Sequence, residues 1–96
     1  MIVKGTTKSG IKFKLDDKIK DDTRLVFLLT KAQKNEDDPM EASKDIMNLL
    51  TLIFGSDDNV LDFMNEVADK HKGVCSTHDM IAEMQEMFDA INSKNS

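Results

Sequence analysis

Residues 11–32 read IKFKLDDKIKDDTRLVFLLTKA, and the spacing of their apolar side chains changes near residue 21. Ile11, Phe13 and Leu15 alternate with Lys12 and Lys14, the period of two that marks a half-buried strand. Beyond Asp21-Asp22-Thr23, which offers a helix N-cap, Leu25, Val26, Leu28, Leu29 and Ala32 recur at helical spacing up to about Lys34. A strand-forming segment therefore hands over to a helix-forming one, and the rest of the chain keeps the second pattern.

Upstream, Ile2-Val3-Lys4-Gly5-Thr6 forms a second strand candidate, and Thr7-Lys8-Ser9-Gly10 supplies turn chemistry between the two. A two-stranded hairpin is marginal alone, so its apolar face must rest on other elements. Downstream, Asn35-Glu36-Asp37-Asp38 reads as a loop. In Asp38-Pro39-Met40-Glu41, Asp38 can cap, Pro39 suits the first helical position and Glu41 completes a box-like pattern. Ile46, Met47, Leu49, Leu50, Leu52, Ile53 and Phe54 then nearly encircle the helix, which predicts that it is the central buried one. Gly55 is placed to stop it. Ser56-Asp57-Asp58 caps a third helix with the stripe Val60, Leu61, Met64, Val67 and Ala68, ended by Gly73. Ser76 or Thr77 caps a fourth, whose stripe is Met80, Ile81, Met84, Met87, Phe88 and Ile91. The expected fold is α+β, an N-terminal β-hairpin packed with about four α-helices. It forms one domain over residues 1–92, with a basic hairpin segment at 1–20, a helical body at 21–92 and a flexible tail at 93–96.

Ninety-six residues, 40% hydrophobic and 32% charged, suit one globular domain. The net charge of −5 conceals an asymmetry. Residues 1–20 hold six Lys against Asp16 and Asp17, a balance of +4, and the remainder holds seven basic and sixteen acidic residues, a balance of −9. An acidic body repels a phosphate backbone, which disfavours broad nucleic-acid binding, although the basic hairpin keeps a nucleic-acid-binding regulatory module open as the alternative function. One cysteine permits no internal disulfide and suits a reducing cytoplasm. No apolar run has the length of a signal peptide or a membrane span, so a soluble, unexported protein is expected.

The constellations that would carry chemistry are thin. Cys75 with His71 or His78 is the nearest approach to a nucleophile and base, and no Gly-rich oxyanion loop lies beside them, so no enzyme is expected. His71-x3-Cys75-x2-His78 offers three of the four ligands a structural zinc needs, which leaves a zinc-stabilised adaptor as a minor reading and no cofactor expected. The acidic stretches lack the Gly at six and the Glu at twelve of a calcium loop, whether counted from Asp16 or from Asp57. The Met stripe has two readings. Most apolar helical faces are core. Flexible, polarizable thioethers also suit a surface that accepts varied apolar partners. The second reading assigns partner binding to Met80, Met84, Met87, Phe88 and Ile91.

The layout resembles that of the small tail assembly chaperones of long-tailed phages and prophages of Gram-positive bacteria. The likeness lies in the basic hairpin leading through Lys18-Ile19-Lys20-Asp21 into a helix and in the apolar helix Ile46 to Phe54 stopped by Gly55. It continues in the acidic start Ser56-Asp57-Asp58, the terminal amphipathic helix and the tail Ser93-Lys94-Asn95-Ser96. It spans nearly the whole chain and rests on layout. The resemblance implies a non-catalytic protein of the bacterial host cytoplasm that coats the tape measure protein, keeps it soluble, assists assembly of tail tube protein around it, and is absent from the mature virion. It also implies a longer product made by frameshifting, which codons for Lys94-Asn95 permit. Self-pairing of the hairpin with a neighbour's strand would make a homo-oligomer.

Overall fold

The computed structural model describes residues 1–94. Strands β1 (Ile2–Thr6) and β2 (Lys12–Asp16) pair antiparallel, with Val3 opposite Leu15, Lys4 opposite Lys14 and Gly5 opposite Phe13. The turn is tight because Gly10 adopts φ 103° and donates its N–H to the Thr7 carbonyl at 3.0 Å, while Thr7 N–H bonds the Ile11 carbonyl at 2.9 Å. The alternation in β2 is as expected: Phe13 and Leu15 face inward, and Lys12, Lys14 and Asp16 face solvent. Gly5 is required by its neighbour. A Cβ there would lie 2.6 Å from the Phe13 ring, which crosses the β1 backbone at that point. Val3, Ile11, Phe13 and Leu15 are buried against the helices, each contributing roughly 1.5–3 kcal/mol, so the hairpin is held by the body and not by its own ladder.

A 3-10 helix, Asp17–Asp21, turns the chain toward helix α1 (Thr23–Lys34), α2 (Pro39–Phe54), α3 (Asp57–Lys70) and α4 (Thr77–Lys94). The predicted caps are in place. Asp22 accepts from Arg24 N–H at 3.0 Å, Asp38 from Glu41 N–H at 3.3 Å, Ser56 from Asn59 N–H at 3.2 Å and Ser76 from Asp79 N–H at 3.0 Å. Gly55 stops α2 at φ 86°, and Asn59 Nδ2 covers the Phe54 carbonyl at 3.1 Å. Helix α3 ends three residues before Gly73. Lys72 (φ 62°) and Gly73 (φ 85°) are both left-handed, and Gly73 N–H closes the turn on the Ala68 carbonyl at 2.7 Å.

Two expectations need correction. The central helix is α4, not α2. Helix α4 touches β1, the 3-10 helix and all three other helices, and Met80, Ile81, Glu83, Met84, Met87, Phe88 and Ile91 are all buried. In α2 the buried side chains are Ala42, Asp45, Ile46, Leu49 and Leu50, whereas Leu52, Ile53 and Phe54 are half-covered and Met47 is exposed. Apolar residues all round a helix do not center it when its neighbours lie on one side only. Helices α1 and α2 form the most extensive helix pair, with Ala32 and Ala42 fully buried near the loop that joins them. The first two positions of the expected tail, Ser93 and Lys94, belong to a helix. Helix α4 runs through Ser93 to Lys94, and the part of that expectation concerning residues 95–96, with the codons discussed for Asn95, lies outside the described residues.

Candidate functional site

The sulfur-rich stripe is interior. Met80 is 4% exposed, Met84 and Met87 0%, Phe88 8% and Ile91 1%. The partner-binding role expected for these five residues is corrected accordingly: their side chains fill the centre of the body. The physical reason is the position of α4, whose apolar face is enclosed by the hairpin, the 3-10 helix and the other helices.

A cleft lies beside that stripe, between α1 and the C-terminal half of α4. Its volume is about 470 Å³. Phe88 and Ile91 of α4 and Leu25 of α1 form its buried base, so two of the five residues expected to bind a partner border this opening. Ile19, Val26 and Leu29 add apolar wall. Lys20 and Thr30 stand on one side, and Gln85, Asp89 and Asn92 share one face of α4 on the other. Val26 is 60% exposed. A second, shallower depression of about 320 Å³ lies where Arg24, Phe27, Leu28, Asn48 and Leu52 meet. Phe27 is 65% exposed, with the Lys31 ammonium 5.9 Å from its ring centroid. Helix α1 thus carries apolar side chains on both flanks of its outer surface. The sequence held a signal for this: Leu25 to Leu29 are five consecutive apolar residues, more than one core-facing stripe requires.

The polar candidates do not converge. His71 Nε2 lies 3.0 Å from Glu83 Oε1, and its Nδ1 lies 3.5 Å from Asp79 Oδ2. His78 bonds Glu36 instead. Cys75 is half-buried, and burial, with the Asp79 charge second, pushes its thiol pKa up, which lowers the thiolate fraction available as nucleophile or metal ligand. Among the described residues no group of three or more His, Cys, Asp or Glu side chains is arranged to hold a metal ion.

Glu83 was not singled out from the sequence. It is 2% exposed, on the α4 face toward the hairpin turn. Its Oε1 accepts from the Ser9 hydroxyl and meets His71, while Thr7 Oγ1 lies 3.1 Å from the Ser9 hydroxyl oxygen and accepts from Ile11 N–H at 3.1 Å. Glu86 Oε1 accepts from Lys8 N–H at 2.9 Å. Burial pushes the Glu83 pKa up. The hydrogen bonds from Ser9, His71 and Thr7, with the His71 charge, outweigh it and hold the pKa below the ordinary value. This cluster joins the turn, the end of α3 and α4; its chemistry is that of a clasp.

The hairpin lysines gather on the outer sheet face, where Lys4, Lys12 and Lys14 are exposed. Phe13, the aromatic candidate for base stacking, points inward and is 9% exposed. No described helix is long and apolar enough to cross a membrane. Comparison of the chain with models of known protein families, with curated proteins and with solved structures finds no match.

Proposed function

We propose that this protein is a non-catalytic binding protein that shelters an apolar helical stripe of another protein in the α1–α4 cleft, acting as a tail assembly chaperone of a long-tailed phage. The observation that carries the reading is the cleft itself. Leu25, Val26, Leu29 and Ile19 line an opening of about 470 Å³ bordered by polar side chains, a form that suits the apolar face of an amphipathic helix. The client is the tape measure protein, with tail tube protein as a further partner, and the site of action is the cytoplasm of the bacterial host before the virion is complete. The resemblance in layout supports this assignment of client, and the helix-rich, acidic body suits a protein that covers exposed apolar stripes on a long partner. Of the terminal stripe only Phe88 and Ile91 reach this cleft, at its base, and the partner otherwise meets α1, Ile19 and the polar edge of α4.

Nucleic-acid binding by the hairpin is the second reading, favoured by the grouping of Lys4, Lys12 and Lys14. The inward placement of Phe13 removes the stacking platform that single-strand readers use, so protein binding ranks first.

Co-expression with the tape measure protein of the same genome tests the assignment. The wild-type chain should bring the client into the soluble fraction, and V26D/L29D, which changes half-buried or exposed positions, should lose at least about tenfold of that yield while its circular dichroism melt stays cooperative. A folded variant that still solubilises the client would remove the cleft from the mechanism. A wild-type chain with no effect on the client would remove the chaperone reading.

A further inference from the structure

Two faces of this molecule carry opposite charge, and each repels itself. On the outer face of the hairpin, Lys4 stands directly across from Lys14, with Lys12 next along β2. Like charges directly opposite one another weaken a strand pair. On α3, Asp58, Asp62 and Asp69 share the solvent face and Glu66 flanks them, all exposed. Like charges four residues apart weaken a helix. Among the described residues none of these side chains forms an ion pair within 4.0 Å; the one acidic group on the outer sheet face, Asp16 across from Ile2, is engaged by the N-terminal ammonium at 3.6 Å.

Each face also bears one exposed aliphatic side chain amid its charges. Ile2, 49% exposed, lies on the sheet's outer face in line with Lys4, and Leu61, 56% exposed, lies on α3 within about 100° of arc of Asp58, Asp62 and Asp69. One spacing agrees: Lys12 and Lys14 are separated by about 6.8 Å along the strand, and Asp58 and Asp62 by about 6 Å along the helix, with Asp69 about 10 Å further along α3.

We infer that the outer sheet face of one copy docks on the α3 face of a second copy, with Lys12 and Lys14 against Asp58 and Asp62, Lys4 beside them, Asp69 extending the acidic face, and Ile2 against Leu61. Both self-repulsions are relieved by the same contact. The two surfaces are different patches of one chain, so the association is head-to-tail and does not stop at a dimer by symmetry. A hairpin of this size covers little area, which makes the contact weak, reversible and salt-sensitive. It shares no residue with the α1–α4 cleft, so it stands or falls apart from client binding.

Sedimentation equilibrium of the full chain at neutral pH tests this. At about 20 mM salt the average mass of the wild-type chain should rise with concentration, and at about 500 mM salt association should weaken at least about tenfold. K4E/K12E/K14E and D58K/D62K/D69K should each be monomeric at low salt. An equimolar mixture of the two should associate, because each reversed face then meets its complement. Circular dichroism checks that both remain folded, and the milder K12Q/K14Q replaces the first set if it does not. A wild-type chain that is monomeric at low salt and high concentration overturns the proposal. So does association that persists in either reversed variant, or a mixture that stays monomeric. Salt-sensitive binding of a single-stranded oligonucleotide by a monomeric wild-type chain, lost in K4E/K12E/K14E, would assign the lysine face to nucleic acid and overturn it as well.

Discussion

Met84 and Glu83 are neighbours on α4, one apolar and one ionisable, and both are enclosed. Their substitution effects should differ in kind. Met84→Asp places an unpaired carboxylate among apolar side chains, which should remove at least about 4 kcal/mol and leave a chain without a cooperative thermal transition. A well-folded Met84→Asp variant would return the stripe to the surface. Glu83 is held from two segments, the hairpin turn and the end of α3, and its folded pKa lies below the ordinary value of 4.5. A carboxyl with a depressed folded pKa contributes stability that is present above its unfolded pKa and lost as pH falls through its folded one. Chemical denaturation should therefore show stability declining as pH drops below about 4.5, and Glu83→Gln should flatten that limb while lowering stability at neutral pH by roughly 1–3 kcal/mol. A limb of unchanged slope in the variant would assign the acid sensitivity to other carboxylates. Nothing in the sequence marked Glu83. It falls at a position within the apolar stripe of α4, and only the approach of Thr7, Ser9 and His71 from distant segments gives its burial a physical basis.

At the level of elements, the hairpin and the helix starts were legible because each is written locally. Strict alternation at residues 11–15 declares a strand, and Asp22, Asp38, Ser56 and Ser76 each cap the helix they precede. The rank order of the helices was not legible. Helix α2 carries more apolar residues in its last turns, yet α4 is the buried one, since burial depends on how many neighbours surround an element, which is a property of the assembled chain. The same limit applies to the candidate site. Apolar spacing identified the stripe of α4 but could not say whether it was covered, and the run Leu25 to Leu29 revealed its surplus only once α1 was seen to pack on one side. The hairpin makes its own prediction. Gly5 leaves room for the Phe13 ring to cross β1, so Gly5→Ala forces a Cβ to within 2.6 Å of that ring and displaces it. We expect a loss of about 1–3 kcal/mol in urea denaturation, recovered in large part by adding Phe13→Leu, since the clash is between these two side chains. Additive losses in the double variant would contradict the coupling.

For the whole molecule, the centre is supplied by the segment that comes last among the elements. Helix α4, eighteen residues from Thr77 to Lys94, contacts every other helix, the 3-10 turn and the hairpin. During synthesis on the ribosome, α1 can pair with α2 and β1 with β2 before α4 emerges, but the face each turns toward α4 stays open. A nascent chain stalled before Thr77 leaves its amphipathic pieces half-covered, open to proteases and to one another, until α4 arrives to close the core.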